Sequence, residues 1–317
     1  MSRAFDRVWH AGLLHKLTEM LPAAFCQIIK SFLEDRYFRV RINQSYSELT
    51  PIKAGVPRGS VLGPTLYTLF TRDIPKDENT TTLLFANDTA VPARHSRYPN
   101  AVKRLHKVLN KIASWTRKWK IALNKNKSVR VDFALRKHNY IPSIMDGEPV
   151  PVANSARYLG LHLDAKLNWA EHVRQKRDYL NLQTRRYYWL IGKHSPLSLQ
   201  SKRLLYLTVL KPIWTYGLQL WGTTACSNRQ IIQRFQNKIL RIITNAPWYV
   251  TNDQLHSEIE TIDEAYKRIV ASYINRLHRH PNVEAIQHLD TTTHTRRLAR
   301  APHFGLLTLF LLTLAPK

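Results

Sequence analysis

Two stretches decide the fold: AGVPRGSVLGPTLYTLF (Ala54–Phe70) and LLFANDTAV (Leu83–Val91). The first is a Gly/Pro-rich loop running into an apolar segment. The second opens as a short strand over Thr81–Phe85, turns tightly at Asn87-Asp88, and starts a return strand at Thr89–Val91. That pattern predicts a β-hairpin. Upstream, Phe38, Val40 and Ile42 alternate and Asn43-Gln44 follows, a strand entering a turn. Downstream, Val102, Leu105, Leu109, Ile112 and Trp119 recur at helical spacing, with Lys103, Arg104, Lys107, Lys111 and Lys118 on other faces. Arg130–Leu135 and Ala156–Leu163 read as further strands. The front of the chain is therefore expected to be α+β.

After about Glu171 the periodicity becomes helical. Ser195-Pro196 is expected to open one helix, with a serine cap and proline in the first turn. Pro212 should kink or end it. Ile231, Ile232, Phe235, Ile239 and Ile242 mark another helix, stopped near Asn245-Ala-Pro247. Thr261-Ile-Asp-Glu264 is a capping box opening a helix that runs to about His280-Pro281. The expected organisation is an α+β region over 1–170, a helical region over 171–300 and an unassigned apolar tail over 301–317. No internal repeat or low-complexity linker is visible.

Charge narrows the function. The 317 residues carry 48 Lys+Arg against 22 Asp+Glu, a net charge of +26. Such a balance disfavours an enzyme of small neutral substrates and points to a polyanion. The excess is also clustered. Thr89–Val131 holds 12 basic residues and no acid; Tyr179–Asn252, 74 residues, holds 10 and again no acid. Surface helices ordinarily alternate signs. One-sign faces suit phosphate backbones, bound with little sequence readout. Aromatics interleave with the basic residues, as in Arg185-Arg186-Tyr187-Tyr188-Trp189, and offer stacking surfaces. Most of the eight tryptophans are nevertheless expected in the core.

Two cysteines, Cys26 and Cys226, are too few for a disulfide scaffold or a four-cysteine zinc site and fit a reducing compartment. The fourteen histidines show no paired metal spacing. The charged N-terminal stretch does not read as a secretory signal. The apolar run Leu306–Leu314 is shorter than the roughly 20 residues of a membrane span. It is expected to pack, with an interfacial anchor as the alternative. No membrane partner is expected.

Taken in order, AFDRVWHAGLL (from Ala4), the Ala54–Phe70 loop, LLFANDTAV, LNKNKS (from Leu123) and ARYLGLHLDAKLNW (from Ala156) resemble the palm motifs of reverse transcriptases. The match is nearest to jockey-type non-LTR retrotransposons. LKPIWTYGLQLWG (from Leu210) and QNKILRIITNAPWYV (from Gln236) resemble the region downstream of the palm in those elements. The resemblance implies an RNA-directed DNA polymerase: an α+β palm, with incomplete fingers, followed by a helical thumb. It implies an RNA template, a DNA primer or RNA–DNA hybrid, deoxynucleoside triphosphates, and Mg2+ held by two carboxylates on neighbouring strands. A nuclear or cytoplasmic setting follows from such partners.

The resemblance also assigns residues. Phe5 matches the aromatic that screens the sugar 2′ position. Gly55, Pro57, Arg58 and Gly59 lie in the loop that approaches template and incoming nucleotide. Arg58 stands where glutamine is usual and cannot accept a hydrogen bond. Lys127 matches the lysine proposed to assist the leaving pyrophosphate. Tyr158, Leu159 and Gly160 match the primer grip. Two departures concern the metal site. The aspartate of the first motif belongs four residues before Ala4, one place before Met1. Asp6 matches a different family position and is no substitute. In the hairpin, Asn87 stands where the first acid belongs, leaving Asp88 as the residual metal ligand. The expectation is a polymerase by ancestry that does not polymerise as written. The alternatives are a non-catalytic RNA- or DNA-binding remnant and a translation without function. Nothing in the chain resembles the endonuclease that such elements encode upstream.

Overall fold

A computed structural model of the chain describes residues 5–57, 59–86, 88–124, 127–134, 139–281 and 306–316, the last as backbone only. The chain divides into two compact units, Met1–Leu159 with His303–Lys317, and Gly160–Pro302.

The first unit opens with a 3-10 turn at Phe5–Arg7 and two helices, α1 (His10–Thr18) and α2 (Ala23–Leu33). Short ladders follow: β1 (Tyr37–Phe38) with β4 (Thr50–Pro51), and β2 (Arg41–Ile42) with β3 (Ser45–Tyr46). The expected strand at Tyr37–Ile42 is thus two short pieces, and Asn43 turns with φ 55°. Next come α3 (Leu62–Thr71), β5 (Leu83–Phe85), β6 (Asp88–His95) and α4 (Tyr98–Lys118). Then follow β7 (Ile121–Leu123), β8 (Val129–Phe133), the β9–β10 hairpin (Ile144–Met145, Glu148–Pro149) and β11 (Ser155–Tyr158). The apolar face of α4, including Leu105, Val108, Leu109 and Ile112, is buried with Leu13, Leu17, Leu66 and Phe70 in one core.

Lys16 links α1 to the end of α3. Its ammonium donates to the Phe70 carbonyl at 2.6 Å and to the Asp73 carboxylate, and lies 3.7 Å from the centroid of the Trp119 ring. Burial lowers its pKa despite the Asp73 charge. Arg130 on β8 is fully buried. Its guanidinium donates to the Ile141 carbonyl at 2.8 Å, Ser143 Oγ at 2.5 Å, the Tyr98 hydroxyl at 2.7 Å and Asp132 Oδ2 at 2.9 Å.

The C-terminal apolar segment is a strand. The second unit's elements, given below, intervene in sequence; the segment is therefore β13 (Leu306–Pro316). It lies inside the first unit's sheet, in the order β5-β6-β13-β7, with β8 also pairing β13. All its pairings are antiparallel. Thr313 pairs Asp88 and Leu306 pairs His95 on one side; on the other, Leu311 pairs Val129 and Leu314 pairs Leu123.

The second unit begins with β12 (Leu161–Asp164), and its other described elements are helices. Its helices are α5 (Ala170–Ile191), α6 (Leu199–Leu205), α7 (Lys211–Thr215), α8 (Leu218–Trp221), α9 (Cys226–Thr244), α10 (Asn252–Leu255) and α11 (Ile262–His278). The cap of α6 is Ser198, whose hydroxyl accepts from the Ser201 amide at 3.2 Å; the helix starts three residues after the expected Ser195. Pro212 does not end the helix. A π-helical turn at Tyr206–Leu210 precedes it, and α7 starts with Pro212 in its first turn. The extra residue per turn accommodates the amide that proline lacks. Asn245 closes α9 with φ 50°. The Thr261–Glu264 capping box forms as expected. Trp169, Trp214, Trp221, Phe235 and Ile239 are buried in this unit's core. Of the eight tryptophans five are buried, Trp9 is half-buried, and Trp189 and Trp248 are exposed.

Candidate active site

Asp88 opens β6, directly after the turn that its hairpin requires. Ala86 in that turn has φ 49°, and Phe85 pairs Asp88. Asn87 lies outside the described residues. Two tyrosines report what surrounds the Asp88 carboxylate. The Tyr67 hydroxyl is pushed up, first by burial and then by the Asp88 charge. Tyr158, at the end of β11, is raised by the same two causes in the same order. The first unit thus gathers one carboxylate, the helix that follows the Gly/Pro-rich loop, and the end of the strand matched to the primer grip.

The loop itself is held by main-chain bonds. Gly55 N donates to Val8 O at 2.9 Å and Val56 N donates to Phe5 O at 2.7 Å. His10 Nε2 meets Gly55 O at 2.8 Å. Gly55 has φ +97°, and a Cβ there would stand 2.5 Å from the backbone of Asp6. Only glycine allows both the dihedral and that approach. Gly59 also has positive φ, +81°, but among the described residues nothing lies within 4 Å of a Cβ there. The Ser60 hydroxyl donates to Pro57 O at 2.8 Å and accepts from Gly63 N at 3.0 Å, which fixes the entry into α3. Phe5 stacks on Tyr67, with ring centroids 4.8 Å apart. Tyr67 therefore touches Phe5 and lies within electrostatic reach of Asp88. The sequence reading did not single it out, although it stands in the LYTLF segment. Arg58 lies outside the described residues.

Strand register places Lys127. Leu314 pairs Leu123 and Leu311 pairs Val129, so Lys127 falls in the chain between these two ladders, which share one edge of β13. Thr313 pairs Asp88 on its other side. The ladders on either side of Lys127 and the ladder begun by Asp88 thus use opposite edges of β13. Lys127 is exposed, and its amide donates to Asn124 O at 3.1 Å. Leu159, with φ 46°, ends the first unit. Gly160 belongs to the second, with φ +79° and room for a Cβ limited by the Tyr216 ring at 3.2 Å.

The described residues do not make a donor set for two divalent ions. Mg2+ takes several hard, preferably charged oxygens. Here the described residues of the hairpin supply one carboxylate, Asp88. Among the described residues no group of three or more His, Cys, Asp or Glu side chains is placed to hold a metal.

The loop, the helix and the carboxylate hairpin all lie in the stretch of chain that a known family matches. Residues 1–163 match the family described as reverse transcriptase (RNA-dependent DNA polymerase), and the chain belongs to that family. It is 37% identical over 312 residues to the probable RNA-directed DNA polymerase from transposon X-element of Drosophila melanogaster, covering 96% of this chain and 34% of that protein. It is 36% identical over 314 residues to the one from transposon BS of the same organism, with 95% and 34% covered. It is 33% identical over 320 residues to the RNA-directed DNA polymerase from mobile element jockey, with 96% and 35% covered. The chain spans about a third of the length of the curated relatives it matches. The family generally works on RNA templates with divalent metal ions. Among the described residues no helix is long and apolar enough to cross a membrane.

Proposed function

We propose that the chain is the palm (1–170) and helical thumb (171–300) of an RNA-directed DNA polymerase from a non-LTR retrotransposon, and that as written it binds nucleic acid without extending a primer. The observation that carries this is the neighbourhood of Asp88: one carboxylate whose charge reaches Tyr67 and Tyr158, on the edge of β13 opposite the ladders that flank Lys127. Phe5, backed by Tyr67, is the surface that would meet the sugar of a deoxynucleoside triphosphate. Gly55 lets the loop lie against the backbone of Asp6, so that Pro57, Arg58 and Gly59 can approach a template base and a phosphate. Lys127 offers a cation to the triphosphate tail. Tyr158, Leu159 and Gly160 are the primer-grip segment. The partners are an RNA template with a DNA primer, or an RNA–DNA hybrid, in the nucleus or cytoplasm.

A single charge at Asp88–Asn87 is the reason for inactivity. Metal-site residues act as a unit, so one loss can abolish turnover. Primer extension with Mg2+ and with Mn2+ tests the reading on three forms: this chain, the chain extended upstream by the family's residues, and the extended chain carrying Asn87→Asp. Incorporation is expected in the third form alone. Robust incorporation by the first refutes the assignment of the metal site.

A further inference from the structure

The second unit holds a cleft of about 640 Å3 between α5, α9 and α10. Its lining includes Lys193, Arg234, Lys238, Arg241 and Tyr188, and no carboxylate. Arg234, Lys238 and Arg241 stand at i, i+4 and i+7 on α9, one face of the helix. Arg234 and Lys238 are about 6 Å apart along its axis, comparable to the repeat of an extended nucleotide backbone. Elsewhere in this unit several cations are paired with acids. Arg203 pairs Glu258, Lys211 and Arg268 pair Glu260, and Arg229 pairs Asp263. Among the described residues Lys193, Arg234, Lys238 and Arg241 have no such partner. Arg241 is instead bound to neutral oxygens: Pro247 O at 3.1 Å, Val250 O at 2.7 Å and Asn252 Oδ1 at 3.2 Å. It fixes the loop beyond α9. That loop carries Trp248 and Tyr249, 90% and 68% exposed, with ring centroids 5.9 Å apart.

Uncompensated like charges on a folded surface raise its energy unless an anion occupies them. Here they accompany an aromatic ring, Tyr188, which lines the cleft and is 53% exposed. Duplexes hide the faces of their bases; unpaired strands present them to such rings. We propose that this cleft binds a single-stranded polynucleotide, with Lys193, Arg234 and Lys238 on successive phosphates and Tyr188 stacking on a base. The site lies wholly in the second unit, outside the span matched to the family, and is independent of any chemistry at Asp88.

The test is fluorescence anisotropy of the full chain with labelled single-stranded RNA, single-stranded DNA and duplex, each about 12 nucleotides long. Arg234 and Lys238 are exposed, so R234A/K238A is expected to keep the fold, checked by circular dichroism. It should weaken single-strand binding about tenfold and lower the slope of log affinity against log salt by about 1.4. Tyr188→Ala should weaken it about fivefold with the slope unchanged. The exposed pair K267A/R276A on α11 should leave affinity within about twofold. Equal losses from both double variants, or a wild-type preference for duplex, overturn the proposal. Because no nucleotide is incorporated, the outcome is separable from that of primer extension.

Discussion

His172 makes the second unit acid-labile by a calculable amount. The ring is 1% exposed and flanked by Trp169 and Trp221 at centroid distances of 5.9 and 6.2 Å. Its Nδ1 accepts from the His162 amide at 3.3 Å, so the neutral ring carries its proton on Nε2, which is buried without a hydrogen-bond partner. Burial, then the Lys176 charge, then His162 push its pKa from 6.5 down to about 3. An unfolded histidine takes a proton near pH 6.5, whereas the folded one does not until about pH 3. Stability from this group is therefore complete above pH 6.5 and declines as pH falls toward 3. At pH 5 the gap is about 1.5 pH units, or about 2 kcal/mol. Glu260, depressed to about 2, does not titrate in that window. Urea unfolding at pH 7 and pH 5, followed by tryptophan fluorescence, measures the loss. His172→Gln keeps an acceptor for the His162 amide and cannot be protonated. It should lose about 2 kcal/mol less than the wild type on going from pH 7 to pH 5. Equal losses in both proteins would refute the assignment of a buried, neutral His172.

Two further outcomes follow from the first unit. Asp132→Asn removes the carboxylate that faces the buried Arg130 guanidinium and should cost about 3–5 kcal/mol in chemical denaturation; a loss below about 1 kcal/mol would show that the neutral partners at Tyr98, Ser143 and Ile141 suffice. Gly55→Ala should destabilise the protein by clearly more than Gly59→Ala, which faces only the dihedral strain of about 1 kcal/mol. The reason is that a Cβ at 55 meets the Asp6 backbone and one at 59 meets nothing. Thermal unfolding of the two variants side by side decides it, and equal shifts would refute the close approach.

The parts of this fold that were legible in the sequence are those written locally. The hairpin at Leu83–Val91, the amphipathic α4 and the Thr261 capping box each follow from neighbouring residues. The start of α6 was misplaced because two serines, Ser195 and Ser198, both offer caps. Ser195 serves a turn instead, accepting from the Leu197 amide at 3.2 Å. Trp189 and Trp248 were not separable from the buried tryptophans, because exposure depends on what packs opposite. At the candidate site, the motif residues were readable but their gathering was not. Tyr67 matters through its contact with Phe5 and its proximity to Asp88, and Lys127 through a register set by β13. Neither relation has a local signature.

β13 also dictates an order of events. Asp88 must find Thr313, a partner 225 positions away, before the first unit's sheet is whole. Residues 160–302, by contrast, draw their contacts from a continuous stretch of chain. Closing so long a loop is slow, and a growing chain cannot do it until residues 306–316 have emerged. The helical unit can therefore be complete while β6 and β8 still present bare edges to one another's neighbours. In that interval the half-built sheet is a template for any extended segment nearby, which makes synthesis, not the finished protein, the moment of greatest aggregation hazard.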